Sequence, residues 1–377
     1  MIRRALLAVA LLATSCVTTT YTGHSFDEAF DRGTAPAHIQ SALAEIEAGE
    51  TEVALDRLIR LHQTPSIAPV DRKVAGDLLN STCVTLIGEL EEAGKAGRLK
   101  RIFKLEVPPR LRIEAGIAAA QAYLDDEERV KCFRQVRSVE DAFPMHHLRM
   151  QAGDLLLQTG LSLATDNSRW FLFFSPARDR ALEVLDYMVL HYPFHPGCDL
   201  AYQALGELYE AADWDYRAIA RYEDLVAYHP DSNLAPVAEA RVPLLRLAQM
   251  DRSDYDRHEV LRAREEAASW LGRYPDHELA GEVGALVIDA SRRLVENDLN
   301  VARFYLRVDE AYGARLHAER AREEAEIQGL DELGLDAIGL LERAATLEGQ
   351  VTAKDDEAVD VIDPMIEAPI PGEVDAG

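Results

Sequence analysis

Cysteine and positive charge are both scarce in this 377-residue sequence. It has 4 cysteines, and its 66 acidic residues outnumber 40 lysines and arginines, which gives a net charge of -26. Such an acidic chain is a poor ligand for a nucleic acid backbone, because binding there requires basic side chains that displace counterions. Beyond Cys16, only Cys83, Cys132 and Cys198 remain. They are too few to hold together a fold of this size, and the sequence leaves open one disulfide or three buried thiols.

The common signatures of catalysis are also missing. There is no G-x-S-x-G or H-E-x-x-H motif, and the segment from Gly94 to Arg98, GKAGR, lacks the spacing of a phosphate-binding loop. Neither an enzyme nor a cofactor is therefore expected, although an unrecognised active site is the alternative.

Two segments have an incomplete metal-binding pattern. His191, His195 and Cys198 have a spacing suited to zinc, but they flank a proline-containing turn and have no evident fourth ligand. Asp251, Asp254 and Asp256 lack the glycine and the closing glutamate of a calcium loop. We expect no metal at either segment, and a turn and a solvated acidic loop instead.

The N-terminus has the pattern of an export signal. Arg3 and Arg4 precede the apolar stretch from Ala5 to Leu12, which small residues separate from Cys16. The stretch is shorter than the roughly 20 apolar residues that a membrane-spanning helix needs. LATSC, ending at Cys16, resembles the bacterial lipoprotein signal, in which the cysteine receives acyl chains such as palmitate and becomes the new N-terminus. An ordinary signal with a chance cysteine is the alternative.

Both ends of the mature chain are predicted to lie outside the folded body. Residues 16–36 after the signal 1–15 have no helical or strand period and are interpreted as a lipidated polar linker. Residues 351–377 are acidic, contain three prolines and no aromatic residue, and are predicted to be a disordered tail. A peptide motif for a partner is the other interpretation of this tail.

The region between these ends has a helical pattern with an internal repeat. HYP, YHP and RYP place Pro193, Pro230 and Pro275 at intervals of 37 and 45 residues, each after a predicted helix. An alanine lies twelve residues before each proline, at Ala181, Ala218 and Ala263. A small residue at this position lets a neighbouring helix approach closely, and the proline prevents the helix from continuing.

The middle repeat is the most complete. It resembles the tetratricopeptide repeat, a hairpin of two helices, at seven spaced positions: Tyr202, Leu205, Gly206, Tyr209, Ala218, Tyr222 and Pro230. We assign these residues to packing. The sequence therefore predicts an all-α fold of stacked tetratricopeptide hairpins, a superhelix with a concave surface.

Further helices are predicted on both sides of this repeat. A first pair covers His38 to Ala48 and Glu52 to Leu61, a hairpin runs from Gly116 to Pro144, and a second hairpin is interrupted by an insertion before Ser175. The last pair is placed at Leu279 to Glu296 and Leu299 to Ala325, and a terminal helix at 331–350. We divide the body into an N-terminal repeat-like region, 37–176, and a second region, 177–330.

The second region resembles the BamD family of outer-membrane β-barrel assembly lipoproteins. The motifs that carry this resemblance are ALEVLDYMVLHYPFHP from Ala181, ASWLGRYPDHELA from Ala268 and VARFYLRVDEAYGAR from Val301. The resemblance implies an outer-membrane lipoprotein on the periplasmic face that binds the BamA-like core subunit, other assembly lipoproteins and unfolded outer-membrane clients. It also makes Arg303, Tyr305, Arg307 and Tyr312 the candidate partner-binding residues.

The chain departs from that family in three respects. A long helical region precedes the similar segment, an acidic tail follows it, and the usual YPFG turn reads Tyr192-Pro193-Phe194-His195. A repeat lipoprotein of another envelope complex, such as a secretin, cell-division or peptidoglycan-linked assembly, is the alternative function.

Two surface features have a functional and a structural interpretation. The first is a basic cluster that would face anionic lipid or an acidic partner, or consist of unrelated solvated charges: Lys95, Arg98, Lys100, Arg101, Lys104, Arg110 and Arg112. The second is the apolar run from Trp170 to Phe174, which suits core packing or a partner anchor.

Overall fold

The structure is a computed structural model that describes residues 24–165, 176–250 and 256–362, with side chains as far as residue 350. These ranges contain fifteen helices and no strand. The helices are α1 (Ala35–Glu47), α2 (Thr51–Gln63), α3 (Pro69–Glu92), α4 (Ala96–Lys104), α5 (Pro109–Asp125), α6 (Arg129–Ala142), α7 (Arg149–Ala164), α8 (Pro176–His191), α9 (Cys198–Glu210), α10 (Asp215–Tyr228), α11 (Ala235–Gln249), α12 (Arg257–Arg273), α13 (Ala280–Arg307), α14 (Ala311–Gln328) and α15 (Asp331–Ile362).

The chain forms two compact units, one up to Ala201 and one from Tyr202. In each unit, consecutive helices pack against each other: α1 to α8 in the first, and α10 to α15 in the second. This arrangement confirms the predicted all-α fold of tetratricopeptide-type hairpins. The first predicted pair corresponds to α1 and α2.

Residues assigned to repeat packing lie where the pattern predicts. The six residues that precede Pro230 in the middle repeat are buried, whereas Pro230 itself is exposed at the turn after α10: Tyr202, Leu205, Gly206, Tyr209, Ala218 and Tyr222. The spacing of these residues in the repeat follows from their burial, because each hairpin must bury one face against its neighbour.

Glycines mark the closest helix contacts. A Cβ atom added at Gly206 would lie 2.6 Å from Cζ of Tyr222, and one added at Gly160 would lie 2.7 Å from Cγ of Leu185. Tyr222 and Leu185 are both fully buried and both lie eight residues before a helix-ending proline. A glycine on one helix therefore accommodates the large side chain at the same repeat position of the next helix.

A second repeated feature, in the turns, was not predicted from the sequence. Two residues after each helix-ending proline, a side chain accepts a hydrogen bond from the backbone N–H that immediately precedes the next helix. The acceptors and distances are His146 (3.2 Å), His195 (3.2 Å), Ser232 (3.1 Å) and His277 (3.1 Å). These bonds satisfy one of the unpaired donors at a helix start. The pattern Pro-x-His/Ser at these four helix-ending prolines was the available signal.

The predicted polar linker is partly folded, which corrects its boundary at residue 36. His24 donates its backbone N–H to Asp56 Oδ2 at 3.0 Å, and its Nδ1 lies 2.7 Å from the same oxygen. Phe30 stacks on His38 with ring centroids 4.0 Å apart, and the Arg57 guanidinium lies 4.3 Å from the Phe26 ring centroid. Aromatic rings four residues apart pack here without a helix, so periodicity alone missed them.

Two helix boundaries were also wrong. The predicted break between Glu296 and Leu299 is absent, because α13 continues to Arg307 and the turn comes at Val308 to Glu310, where Asp309 has a φ of 56°. α15 continues to Ile362, into the segment assigned to the tail at residue 351. No proline or glycine interrupts 351–362, and Pro364 is the first residue that disfavours helix.

The substitution Gly206→Ala should test the close contact at Tyr222. The new methyl group has no space, so we expect the free energy of unfolding to fall by about 2 kcal/mol, as in other overpacked cores. Gly284→Ala, in α13, is the matched control because nothing lies within 4 Å of its added Cβ. There we expect a gain of up to about 1 kcal/mol from higher helix propensity. Urea denaturation followed by circular dichroism measures both, and equal effects would contradict the packing account.

Candidate partner-binding surface

Two of the four candidate partner-binding residues are engaged within the fold. Arg303 donates from Nη2 to Asp336 Oδ2 at 2.9 Å and from Nη1 to Asn300 Oδ1 at 3.1 Å, so it links α13 to α15. Tyr305 is half-buried and stacks on His317, with ring centroids 5.8 Å apart. Both residues thus have a structural role in the second unit.

The ring that supports Tyr305 belongs to a buried polar network. Nδ1 of His317 lies 2.7 Å from Asp298 Oδ1, and Arg257 donates to Asp298 Oδ2 at 3.0 Å. Asp298 is only 3% exposed. Because a buried carboxylate is costly without partners, these contacts fix α12, α13 and α14 together.

The other two candidates face solvent. Arg307 is exposed at the end of α13. Tyr312 is 62% exposed in the first turn of α14, and the Arg315 guanidinium lies 5.5 Å from its ring centroid. These two residues, like the exposed Arg303, have side chains at the surface, whereas Tyr305 is half-buried.

Exposed apolar residues near them were not among the candidate residues. Phe304 is 50% exposed and Val308 is 54% exposed, and the two lie one helical turn apart at the end of α13. With Tyr312, which is exposed in the first turn of α14, they are the residues that we call the α13–α14 patch, and Arg307 and Arg315 are close to them in sequence. Aromatic residues and arginine are the types enriched in the centre of protein interfaces. The sequence motif indicated this segment but could not show which side chains pack inward.

The first unit has its own buried carboxylate, Glu140. Its Oε1 is hydrogen-bonded to Tyr192 and lies 3.0 Å from His146 Nε2, while Arg149 Nη1 donates to Oε2 at 2.7 Å. Burial lowers the pKa of His146 despite the opposing influence of Glu140. Burial, and to a smaller extent the hydrogen bond to Glu140, raises the pKa of Tyr192. The carboxylate is saturated by Arg149 of α7 and by His146 and Tyr192, which lie in the turns after α6 and α8, and this is a packing arrangement.

The possible zinc residues are not assembled as ligands. The buried His195 ring packs over Gly153, and its Nε2 lies 3.2 Å from Asp154 Oδ1, whereas Cys198 is a buried thiol. Among the described residues, no group of three or more histidines, cysteines or acidic residues is placed to hold a metal. In the segment with the incomplete calcium-loop pattern, Asp256 caps α12 by accepting from the His258 N–H at 2.9 Å.

Several predicted features lie outside the described residues and stay predictions. They are the lipidation site Cys16, the run from Trp170 to Phe174, and Asp251 and Asp254. In the described ranges, none of the helices is both long enough and apolar enough to cross a bilayer.

Comparisons with known proteins add no functional assignment. No protein-family model and no curated protein sequence matches the chain. A solved structure that aligns is described as a circular tandem repeat protein with novel repeat topology and enhanced subunit contact surfaces. The two are 13% identical, and the alignment covers 86% of this chain and 78% of that one, with a TM-score of 0.17. At that score the similarity supports no argument about fold or function.

The three cysteines of the folded body are free and buried, which answers the question that the sequence left open. Burial raises the pKa of the Cys83 thiol to about 12 and those of Cys132 and Cys198 to about 11. All three side chains belong to the helix core.

We therefore expect these thiols to be inert in the native protein. A thiol whose pKa is raised forms thiolate only as the pH approaches that higher value, and the thiolate is the reactive form. At neutral pH, a chromogenic disulfide reagent should modify none of the three in the native Cys16→Ser chain and all three in guanidinium chloride. Rapid native labelling of any one of them would show that its burial is overstated.

Proposed function

We propose that this chain is a lipid-anchored, non-catalytic scaffold subunit of the outer-membrane β-barrel assembly machinery, with a role like that of BamD. The single observation that carries the proposal is the exposed α13–α14 patch, Phe304, Val308 and Tyr312, within the family-like motif that begins at Val301. Side chains of this type remain exposed at a cost unless a partner covers them.

The chemistry of the patch indicates the kind of partner. Phe304, Val308 and Tyr312 are exposed and Arg307 is an exposed cation beside Val308, so a complementary surface would combine apolar side chains with an acidic group. Arg315 is already paired within the fold, with Glu319 and Glu348. The proposed partner is a periplasmic domain of the BamA-like core subunit. Other assembly lipoproteins and unfolded outer-membrane proteins are proposed as further partners, with Cys16 as the lipid attachment site on the periplasmic face.

The buried carboxylates support binding rather than catalysis. Glu140 and Asp298 are buried, and both are bound by arginine and histidine side chains. A general acid or base must instead have access to a substrate proton. The proposed mechanism is therefore docking on helix surfaces.

The double variant Phe304→Asp with Val308→Asp should weaken the core-subunit complex. Two carboxylates in the apolar centre of an interface would lose their hydrating water when the complex forms, which weakens binding. We therefore expect recovery of a large β-barrel protein with periplasmic repeat domains to fall roughly tenfold or more. The measurement is quantitative co-purification of the tagged, membrane-embedded protein. The control, Ile288→Asp with Ile327→Asp, changes two exposed apolar residues elsewhere in the second unit and should leave recovery unchanged.

Other outcomes of this experiment are equally informative. Equal recovery with both double variants would contradict docking at the α13–α14 patch. If the native protein is recovered only with a secretin or with peptidoglycan-binding factors, the proposed role in barrel assembly is wrong. The protein then belongs to another envelope complex.

Cys16→Ser should release the protein from the membrane fraction. Acyl chains anchor a protein with about 0.8 kcal/mol per buried methylene group, and the serine variant cannot receive them. Fractionation of cells, with immunodetection of the soluble and membrane pools, measures the change. An unchanged membrane pool that withstands high salt and alkaline extraction would contradict lipidation at Cys16.

A further inference from the structure

The helix α4 has one face made only of basic residues and glycine. Its buried residues are Ala96, Leu99, Ile102 and Phe103, and its five remaining residues are Gly97, Arg98, Lys100, Arg101 and Lys104. Lys95 directly precedes the helix, and no acidic residue occurs from residue 93 to residue 105. We call Lys95, Arg98, Lys100, Arg101 and Lys104 the basic face of α4. It is a local concentration of positive charge in a chain of net charge -26.

This face is fixed to α2 through one carboxylate. Arg98 Nε donates to Glu52 Oε1 at 2.7 Å, and Arg101 Nη1 donates to Glu52 Oε2 at 2.8 Å. Lys95, Lys100 and Lys104 have no ion-pair or hydrogen-bond partner in the described part of the chain, and they leave three charges unneutralised. The other two residues of the predicted basic cluster, Arg110 and Arg112, lie outside this face and have partners of their own. Arg110 pairs with Glu114 at 2.8 Å, and Arg112 donates to the Phe103 carbonyl at 2.9 Å.

The same face of α2 receives the N-terminal segment. Asp56, which binds His24, lies one helical turn after Glu52, and residues four apart share a helix face. The Arg57 guanidinium over Phe26 and the stack of Phe30 on His38 hold this segment in place. The point where the N-terminal segment joins the fold therefore lies next to the anchor of the basic face.

This placement limits the distance between the basic face and a lipid at Cys16. The eight residue steps from Cys16 to His24 span at most about 28 Å when fully extended. The long linker expected from the sequence is shortened by the packing of residues 24–34. This limit on the distance rests on the proposed function, in which Cys16 carries the lipid tether.

We propose that the basic face of α4 is a contact surface for the anionic phospholipid headgroups of the membrane that holds the tether. Flexible lysines near a bilayer are attracted by its negative surface potential, each with a modest contribution that salt screens. The apolar side of α4 is buried in the core of the first unit, so the contact is electrostatic and requires no insertion. An acidic protein partner fits less well, because the short tether keeps His24, and the first unit with it, near the bilayer.

Vesicle binding by a chain without lipid tests the proposal separately from the tether. The probe is the mature chain from Cys16 onward with Cys16→Ser, mixed with vesicles of equal parts phosphatidylglycerol and phosphatidylcholine at low ionic strength. We expect co-sedimentation that is lost in high salt and absent with pure phosphatidylcholine vesicles. The triple variant Lys95→Glu, Lys100→Glu and Lys104→Glu should bind roughly tenfold or more weakly. Its fold, checked by circular dichroism, should be retained.

A matched control separates this surface from net charge. Arg292→Glu, Arg320→Glu and Arg343→Glu produce the same charge change at exposed positions of the second unit and should bind vesicles like the parent chain. Equal losses in both triple variants, or no binding of the parent chain to the anionic vesicles, would overturn the proposal. Binding of soluble polyglutamate without vesicle binding would assign the face to an acidic protein. Because the protein carries no lipid anchor and no core subunit is present, none of these results depends on the proposed assembly role.

Discussion

The constraint on which the hairpins depend is close approach between paired helices. At Gly160 and Gly206 there is no room for a Cβ atom, because Leu185 and Tyr222 fill the space. A helical glycine sacrifices up to about 1 kcal/mol of helix propensity, and the burial of a large neighbouring side chain offsets that loss. Small and large residues recur at fixed positions in the repeats because they make this contact.

Polar groups complete the hairpins where packing alone would leave donors and charges unpaired. The side chains two residues after the helix-ending prolines accept a hydrogen bond from the backbone N–H just before the helices that follow. Glu140 in the first unit and Asp298 in the second each bind arginine and histidine side chains from neighbouring elements. Since breaking such a buried cluster leaves a charge without compensation, these groups specify how adjacent helices pair.

The surface that remains exposed has two distinct chemistries. In the second unit, the α13–α14 patch combines apolar side chains with arginines, which suits a folded partner. In the first unit, the basic face of α4 exposes cations whose apolar neighbours are buried, which suits a charged surface. The proposed scaffold thus uses different physical forces at its two surfaces, apolar burial at one and salt-sensitive attraction at the other.

The sequence by itself determined the all-α repeat class, the helix-ending prolines and the buried positions of the middle repeat, because local periodicity and proline stereochemistry encode them. It also indicated the segment around Arg303 and Tyr312. Only the tertiary structure decided that Arg303 is paired with Asp336 while Phe304 stays exposed, and that residues 24–34 pack on the first hairpin. Likewise, the link between Glu52 and the arginines of α4 joins residues 46 and 49 positions apart. Such contacts depend on how separate helices meet, and no local pattern contains that information.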